Sequence, residues 1–344
     1  MGEEVRKEDI WGSMKTIKSV AGVGHEGMSS MSLNPGDPLP RPPQPRSEAE
    51  VMSGWEGELD SPLVSVVCHT YNHERFVKDA LNGFLMQETS FPFEIIVHDD
   101  ASQDETQKII KEYQARYPKI IKPILQTKNI FSKGERPTMY SFPAARGKYI
   151  AFCEGDDFWI DTQKIQVQAL FLEGNPDCAV CYTDSIPFRD DEVIGTDFGG
   201  ARKDLSSSEL EKGPAIFTLT ACFRNVLDNP PELALVRYGD KFIWSRLGKH
   251  GNGKFLGDIQ PSLYRVHSNG VHSSSSETEK NMMYFQSYTA MAAYYKRLGD
   301  EGLYQYFIEK LKNQVYMADG VSPRIARVLA PLSRILRKLK RLAA

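Results

Sequence analysis

Carboxylates collect directly after two apolar runs of the sequence. Asp99 and Asp100 follow one run, and Glu154, Asp156 and Asp157 follow another. Five carboxylates in one place repel each other, unless a cation or the donor groups of a ligand offset the repulsion. Glu154 and Asp156 are two positions apart, so their side chains share a face of an extended segment. Hard oxygen ligands on one side, completed by water and phosphate, suit Mg²⁺ or Mn²⁺.

Other polar residues near these acids suit a nucleotide. Only one carboxylate of the Asp99–Asp100 pair can face a crevice, where it would accept from a base N–H or a ribose hydroxyl. Tyr71, in the segment HTYNHE, offers a stacking surface for the base.

No glycine-rich phosphate loop, GxxxxGK[ST] or GxGxxG, follows the first apolar run. The phosphates of a nucleotide would therefore be held by metal and basic side chains. Arg146 is the first candidate, with Lys148 and Arg136 as alternatives, although each alone is more often a surface charge.

The elements that must position these residues alternate between strand and helix. The spacing predicts helices at 74–87 and 162–176, and one from Asp104 through Tyr113. Pro123 lacks a backbone N–H, so its strand belongs at a sheet edge. Such alternation predicts an α/β fold with a doubly wound, mostly parallel sheet, whose ligands bind beyond the carboxyl ends of the strands. The predicted strands are 63–68, 93–100, 120–125, 148–157 and 178–184.

Composition narrows the class of protein. The chain has 344 residues, 41% hydrophobic and 25% charged, so disorder of the whole chain is excluded. Its formal net charge of −3 argues against a general nucleic-acid binder. No uncharged apolar run reaches the ~18 residues of a membrane span, and no secretory signal is visible. Five cysteines fit free thiols in a reducing compartment, so a cytoplasmic location is predicted.

The two ends of the chain differ from the middle. The proline-rich stretch at 34–45 predicts a disordered or extended lead-in. The last 22 residues carry seven basic side chains and no acid, with an apolar stripe at helical spacing. This basic tail suits peripheral attachment to the inner face of an anionic membrane. The alternative is that its stripe packs on the acidic body of the same chain.

The region between residue 185 and this tail has weaker patterns. Residues 185–215 are polar and glycine-rich, which predicts a long loop. Strand-like runs occupy 218–225 and 262–267, and a helical pattern occupies 240–251. Amphipathic helices are predicted near 277–297 and 301–316.

Four motifs together resemble one known family. VSVVCHTYNHERFVKDALNGFLMQ, EIIVHDDASQDET, ARGKYIAFCEGDDFW and YRVHSNGVHS, in this order, are similar to segments of family 2 glycosyltransferases with the GT-A fold. The likeness is clearest over 63–185 and looser to about 273. It implies inverting transfer of a hexosyl or N-acetylhexosaminyl group from a nucleotide-sugar, UDP-linked by expectation. The receiving group would be a hydroxyl of a glycan or lipid-linked acceptor in cell-surface polysaccharide synthesis.

The resemblance also assigns donor-binding residues by position. Thr70, Tyr71 and Glu74 line the nucleoside pocket, Asp100 contacts the base, and Asp157 holds the donor sugar.

The resemblance further places the metal and the general base. Glu154-Gly155-Asp156 stands at the DxD position that binds Mg²⁺ or Mn²⁺. His267 stands at the His of the YRxH motif, near the diphosphate and metal. Asp240, at the start of the helical segment GDKFIW, fits the general base.

These assignments divide the chain into five parts. The predicted boundaries are a lead-in at 1–61, a nucleotide-sugar-binding half at 62–185, an acceptor-binding half at 186–275, C-terminal helices at 276–322 and the basic tail at 323–344.

Two other functions stay open from the sequence. A metal-dependent nucleotidyltransferase uses carboxylates on a similar sheet, but those enzymes usually carry the glycine-rich loop that HTYNHE lacks. A glycosyltransferase-like binding module without catalysis is the other, and the intact acidic clusters argue against it.

Overall fold

The structure is a computed structural model that describes residues 33–195, 199–268, 270 and 275–318. The basic tail at 323–344 and the first 32 residues of the lead-in lie outside this range, so what was predicted for them stays a prediction.

The strands of the described chain form two sheets. They are β1 (Val64–Thr70), β2 (Phe93–Asp99), β3 (Ile121–Leu125), β4 (Tyr149–Phe152), β5 (Cys178–Tyr182), β6 (Ser185–Arg189), β7 (Glu192–Val193), β8 (Ala221–Arg224), β9 (Asn252–Phe255) and β10 (Ser262–Arg265). The larger sheet has the order β3-β2-β1-β4-β8-β5-β9, and the smaller has the order β10-β6-β7. In the larger sheet only β8 runs antiparallel to its neighbours. The predicted mostly parallel α/β fold is confirmed.

Helices connect these strands and continue beyond them. They are α1 (Glu48–Met52), α2 (Val77–Leu85), α3 (Thr106–Arg116), α4 (Thr138–Ala144), α5 (Lys164–Gly174), α6 (Ser207–Leu210), α7 (Gly239–Leu247), α8 (Glu277–Arg297) and α9 (Glu301–Ala318). The helix α8 begins with a capping box between Ser276 and Glu279.

Apolar side chains on both faces of the larger sheet explain why its central strands are buried. Val66 of β1 faces one apolar cluster and its neighbour Val67 faces the other, because successive side chains of a strand point to opposite faces. Phe84 of α2 packs in the first cluster, and Trp244 of α7 packs in the second. The prediction for Pro123 is also confirmed, since β3 lies at an edge of this sheet.

The strand order reverses beside β1. The chain runs outward from β1 to β2 and β3, and then returns to pair β4 with the other side of β1. The carboxyl ends of β1 and β4 are therefore neighbours at a switch point, where parallel sheets bind their ligands.

The prediction of a long loop at 185–215 is wrong in its first part. β6 and β7 form a hairpin whose turn residues Asp190 and Asp191 have φ of 48° and 69°. Two acidic residues with positive φ are typical of a tight hairpin turn between alternating apolar residues. Phe188 of β6 and Val193 of β7 are buried against Phe158, next to the acidic residues that follow β4.

Of the two alternatives predicted for the lead-in, disordered or extended, the described residues 33–61 are ordered and packed on the rest of the chain. Leu33 and Val51 are buried, with 5% and 3% of their surface exposed. The backbone N–H of Gly36 donates to the carbonyl of Val193 at 3.0 Å, and Arg41 forms an ion pair with Asp79 at 2.5 Å. Prolines keep the stretch 34–45 extended, and the N–H groups of Gly36 and Leu39 donate to the carbonyls of Val193 and Asp191 at the edge of the smaller sheet, so tertiary contacts order it.

We expect Val51→Ala to destabilise the protein by about 1.5–2 kcal/mol, because two buried methyl groups leave the core. The measurement is the free energy of unfolding from denaturant titration. Val226→Ala is the matched control, since Val226 is 44% exposed. Equal effects of the two substitutions would contradict the packing of the lead-in against the sheet.

Candidate active site

Polar residues that follow β1, β2 and β4 meet at the switch point. Thr70 at the end of β1 pairs with Asp99 at the end of β2. The N–H of Gly155 donates to the carbonyl of His69 at 2.9 Å. The residues 154–157, which we call the acidic segment, therefore lie beside the end of β1.

Asp99 holds the turn after β2 in shape. Its carboxylate accepts from the Thr70 hydroxyl at 2.9 Å, the Ser102 N–H at 3.0 Å and the Gln107 side chain at 2.7 Å. It is fully buried. Asp99 is thus structural, and the hydroxyl of Thr70 is directed to Asp99.

Asp100 is the member of the pair that faces the loop after β3. Its two oxygens accept from the N–H of Ile130 at 2.6 Å and the N–H of Phe131 at 3.0 Å. Each carboxylate oxygen has a second lone pair, so Asp100 keeps accepting capacity while it fixes this loop.

The segment HTYNHE borders a cleft of about 330 Å³. Glu74 accepts from the N–H of Glu105 at 2.9 Å, and the N–H of Glu74 donates to Asp104 at 3.0 Å. This reciprocal pair joins the start of α3 to the segment after β1. Tyr71 is 43% exposed, which leaves its ring open to a ligand. The cleft is lined by Asn72, Glu74, Arg75, Phe76, Gln103, Asp104, His267 and Ser268.

Two acids of the acidic segment have different partners. Glu154 Oε2 accepts from the Thr218 hydroxyl at 2.6 Å. Asp156 Oδ2 lies 3.0 Å from His267 Nε2 and 3.8 Å from His73 Nε2. The structure therefore brings His267 to Asp156, as the YRxH position implied, and adds His73 as a second imidazole.

Arg265 fixes the third acid and the backbone of the segment. The backbone N–H of Arg265 donates to Asp157 Oδ1 at 2.7 Å, and its side-chain Nε donates to the backbone carbonyl of Asp156 at 2.7 Å. Its Nη2 reaches Asp79 of α2 at 2.8 Å. The guanidinium lies between the rings of Phe76 and Phe188, at 4.6 and 4.5 Å from their centroids. One side chain thus ties the smaller sheet and α2 to the acidic segment.

These contacts separate the pKa values of the three acids. Burial raises the pKa of Glu154 to about 7, with the charges of Asp156 and Asp240 adding to the rise. Burial, followed by the charges of Asp156 and Glu154, raises the pKa of Asp157 well above its usual value. Burial would also raise the pKa of Asp156, but His73 and His267 outweigh it and lower that pKa. Burial lowers the pKa of His73, and of the two imidazoles only His267, with Nε2 at 3.0 Å, lies within hydrogen-bond distance of Asp156 Oδ2. Asp156 is therefore the acid that stays ionised.

The donor set fits a cation only in part. Within residues 33–195, 199–268, 270 and 275–318, no group of three or more His, Cys, Asp or Glu could hold a metal by itself. Asp156 Oδ2 and His267 Nε2 are close enough, at 3.0 Å, to share one ion. Mg²⁺ and similar ions often keep several waters and substrate phosphates beside one or two carboxylates. The residues present therefore fit a cation whose shell a ligand's phosphates complete.

Asp240 lies in the first turn of α7 and is half-buried. Its charge contributes to the raised pKa values of Glu154 and Tyr264, so it is within electrostatic reach of the acidic segment. Trp244 anchors α7 through a hydrogen bond from its Nε1 to the carbonyl of Ile216 at 2.9 Å. The helix therefore presents Asp240 on the side of the acidic segment.

The prediction that Arg146 contacts donor phosphates is contradicted by its position. Arg146 precedes β4, and its Nε and Nη2 donate to Glu94 at 2.9 and 2.7 Å. Glu94 lies near the start of β2. The pair of Arg146 and Glu94 is therefore at the amino ends of the strands, whereas the crevice is at their carboxyl ends. Lys148, on the same side, pairs with Glu173 at 2.6 Å.

Sequence reasoning gave no role to His73, Thr218 or Arg265. His73 and Arg265 lie inside the motifs HTYNHE and YRVH, which were the available signal. Thr218 is separated from Glu154 by 64 positions and carries no local signal.

Two solved structures of other proteins have a similar fold. TarS 1–349 of S. aureus, in complex with UDP-GlcNAc, has a TM-score of 0.51 and 19% identity, over 75% of this chain and 73% of that chain. The mannosyltransferase PcManGT from Pyrobaculum calidifontis, with GDP-Man and Mn²⁺, has a TM-score of 0.50 and 15% identity, over 97% of this chain and 91% of that chain. The fold is that of GT-A glycosyltransferases.

The family follows from the sequence comparisons. The family model described as glycosyl transferase family 2 matches residues 65–237, about half of the chain. This protein belongs to that family, as the motifs predicted.

Two relatives show how far the likeness extends. The uncharacterized protein Rv1520 of Mycobacterium tuberculosis is 35% identical over 220 residues, which is 63% of this chain and 63% of that protein. The chain thus spans less than two thirds of the length of that relative. WfgD of Escherichia coli, a UDP-Glc:alpha-D-GlcNAc-diphosphoundecaprenol beta-1,3-glucosyltransferase, is 27% identical over 198 residues, 56% of this chain and 73% of that protein.

None of the helices in the described part of the chain is both long enough and apolar enough to cross a bilayer.

Gly155→Ala should destabilise the protein by about 1–3 kcal/mol, because a Cβ there would lie 2.4 Å from Thr70 Cγ2. Gly174→Ala, at the end of α5, is the control, since a Cβ at that position meets nothing within 4 Å. It should be neutral or stabilising by up to about 1 kcal/mol. Thermal unfolding of both variants is the measurement, and a neutral Gly155→Ala would contradict the tight approach of the acidic segment to β1.

The raised pKa of Glu154 gives a pH dependence of definite sign. The protonated carboxyl contributes stability below its usual pKa of 4.5, and this contribution is lost as the pH rises through about 7. Glu154→Gln keeps an acceptor for Thr218, so the wild type should lose stability relative to this variant between pH 4.5 and 7. Urea titrations across that range measure the difference.

Glu173→Gln is the control, because the pKa of Glu173 is shifted in the opposite direction to that of Glu154. Burial raises the pKa of Glu173, but hydrogen bonds from Lys148 and Tyr149 outweigh it and lower the pKa. Its contribution is present above pH 4.5 and is lost as the pH falls, so this variant should be the less stable protein at neutral pH. A flat difference for Glu154→Gln would contradict the protonated state of Glu154.

Proposed function

We propose that this protein is an inverting glycosyltransferase that moves a sugar from a nucleotide-sugar to a hydroxyl of a glycan or lipid-linked acceptor in cell-surface glycan synthesis. The observation that carries the proposal is the acidic segment at the switch point, whose three carboxyl groups lie beside a cleft with a hydroxyl, an imidazole and a backbone N–H as their respective partners. Because the chain spans only 63% of the Mycobacterium tuberculosis relative, its activity, donor and acceptor are all part of the proposal.

The nucleoside would bind in the cleft beside the segment HTYNHE. Tyr71 offers an exposed ring on which a base can stack, and Asp100 keeps lone pairs for a base N–H. Glu74 and Thr70 shape the pocket through their bonds to the turn after β2. The nucleotide would then extend from the end of β2 towards the acidic segment at the end of β4.

The diphosphate would lie at Asp156 and His267, with Mg²⁺ or Mn²⁺ between them. A bound divalent cation acts as a Lewis acid that stabilises the charge developing on a leaving diphosphate. Asp156 is ionised and so suits a cation. Glu154, whose Oε2 accepts from the Thr218 hydroxyl, would reach the cation through a bound water and not as a direct ligand.

Protonated Asp157 suits the donor sugar. Its raised pKa favours the protonated carboxyl, and a protonated carboxyl can donate a hydrogen bond to a sugar hydroxyl while Oδ1 accepts from the backbone N–H of Arg265. The sugar would thereby be oriented beside the diphosphate rather than left free to rotate.

Asp240 would act as the general base. A carboxylate near the acceptor hydroxyl removes its proton as the hydroxyl attacks the anomeric carbon, and such a role typically contributes ~10²–10⁴-fold. One displacement from the face opposite the leaving diphosphate inverts the configuration at that carbon. Asp240 suits this role because it lies on α7, outside the strand ends proposed for the nucleotide.

The names of relatives guide the choice of donors. That of WfgD includes a UDP-Glc donor, TarS was solved with UDP-GlcNAc, and PcManGT was solved with GDP-Man and Mn²⁺. We therefore take UDP-sugars first and GDP-Man second. Membership of family 2 does not favour the nucleotidyltransferase alternative, and the non-catalytic module becomes an outcome of the test.

The test measures release of nucleoside diphosphate from UDP-Glc, UDP-GlcNAc and GDP-Man with Mn²⁺ or Mg²⁺. We expect Asp240→Asn to keep donor binding, because the donor-binding residues lie elsewhere, and to lose about 10²–10⁴-fold in turnover. Donor binding is followed by calorimetry in parallel.

Asp258→Asn is the matched control, since Asp258 is an exposed acid with no role in the proposed mechanism, and it should behave as the wild type. Wild-type protein that binds donors without releasing diphosphate would favour the non-catalytic module. Equal loss of binding and turnover in Asp240→Asn would make Asp240 structural.

A further inference from the structure

Two arginines lie against one aromatic ring near the crevice. The guanidinium carbon of Arg136 is 4.7 Å from the centroid of the Phe131 ring, and that of Arg237 is 5.5 Å from it. Arg136 is 5% exposed, whereas Phe131 and Arg237 are half-buried. A buried cation and a second, more accessible cation thus share one surface.

The buried member of this pair has no counterion in the described part of the chain. Nε and Nη1 of Arg136 are buried and have no hydrogen-bond partner. Burial, followed by the charge of Arg237, lowers the pKa of Arg136 to about 10. A buried charge without a partner is strongly unfavourable, and an anion that accepts from guanidinium nitrogens removes that penalty.

The arginine pair joins the donor side of the crevice to the acceptor side. Phe131 follows β3, and its N–H donates to Asp100 at 3.0 Å. Arg237 is three positions before Asp240, and its N–H donates to the Ser287 hydroxyl of α8 at 3.2 Å.

We propose that Arg136 and Arg237 form an anion-binding subsite for a phosphoryl group of the acceptor, so that the acceptor is a sugar carried on a phosphate or diphosphate. This inference rests on the proposed function and names the acceptor class of the same site. Guanidinium groups bind phosphate oxygens in a bidentate manner, and two of them suit a phosphate better than a single carboxylate. The position of Arg237 before Asp240 places such a group near the hydroxyl that is to be deprotonated.

Thermal unfolding with inorganic pyrophosphate in EDTA tests the subsite without divalent metal. Pyrophosphate should raise the unfolding temperature of the wild type, since a ligand of the native state stabilises it. Arg136→Gln and Arg237→Gln should each weaken pyrophosphate binding about tenfold or more. Without pyrophosphate, Arg136→Gln should be at least as stable as the wild type, because it removes an uncompensated buried charge.

Arg116→Gln is the matched control. Arg116 also stacks on aromatic rings, at 5.5 Å from Tyr113 and 5.3 Å from Tyr117, but it is exposed. It should leave the response to pyrophosphate unchanged. The second arm is the affinity for UDP and GDP with Mn²⁺, which should be the same in the wild type and both subsite variants.

The outcomes separate the two proposals. Loss of UDP or GDP affinity in the subsite variants would assign the arginines to the donor and overturn the acceptor subsite. An unchanged pyrophosphate response in Arg136→Gln and Arg237→Gln, or no response in the wild type, would overturn it too. If the wild type binds neither nucleotide but keeps an arginine-dependent pyrophosphate response, the proposed function fails and the anion site stands.

Discussion

Three carboxylates within four consecutive residues must coexist at the end of a buried strand. Glu154, Asp156 and Asp157 cannot all ionise there, because their charges repel each other and burial penalises each charge. The structure resolves this conflict by giving each acid a different partner: a hydroxyl for Glu154, an imidazole for Asp156 and a backbone N–H for Asp157. Only Asp156 gains enough to remain ionised. The division supplies one anionic ligand and two hydrogen-bonding acids within a single turn.

The rest of the fold keeps these partners in place. Gly155 allows the segment to lie against Thr70, and Arg265 connects it to the smaller sheet and to Asp79 of α2. Arg41 of the lead-in contacts the same Asp79. Asp79 therefore receives two arginines, one from the segment before the sheet and one from its last strand. The ordered lead-in and the smaller sheet are part of the support for the site.

Local pattern was enough to predict the central strands, the six longer helices and the polar strand ends, but not the short helices α1, α4 and α6. The β-branched apolar runs indicated the buried central strands, and Pro123 indicated that β3 lies at an edge of the sheet. Local pattern was not enough to predict contacts between segments that are distant in the sequence. Arg146 looked available in sequence, but Glu94, 52 positions away, binds it. The lead-in lacked periodicity because its order comes from tertiary bonds such as that of Gly36 with Val193. The pairing of Arg136 with Arg237 likewise needed the fold.

The most direct test of the divided acidic segment is calorimetric titration of Mn²⁺ in the presence of UDP. Our account predicts that the wild type binds Mn²⁺, that Asp156→Asn loses this binding, and that Glu154→Gln keeps it. The reason is that the pKa of Asp156 is lowered while that of Glu154 is raised, and that Asp156 is adjacent to His267. Circular dichroism of each variant controls for folding. Binding of Mn²⁺ by Asp156→Asn at wild-type affinity, or its loss in folded Glu154→Gln, would contradict the account.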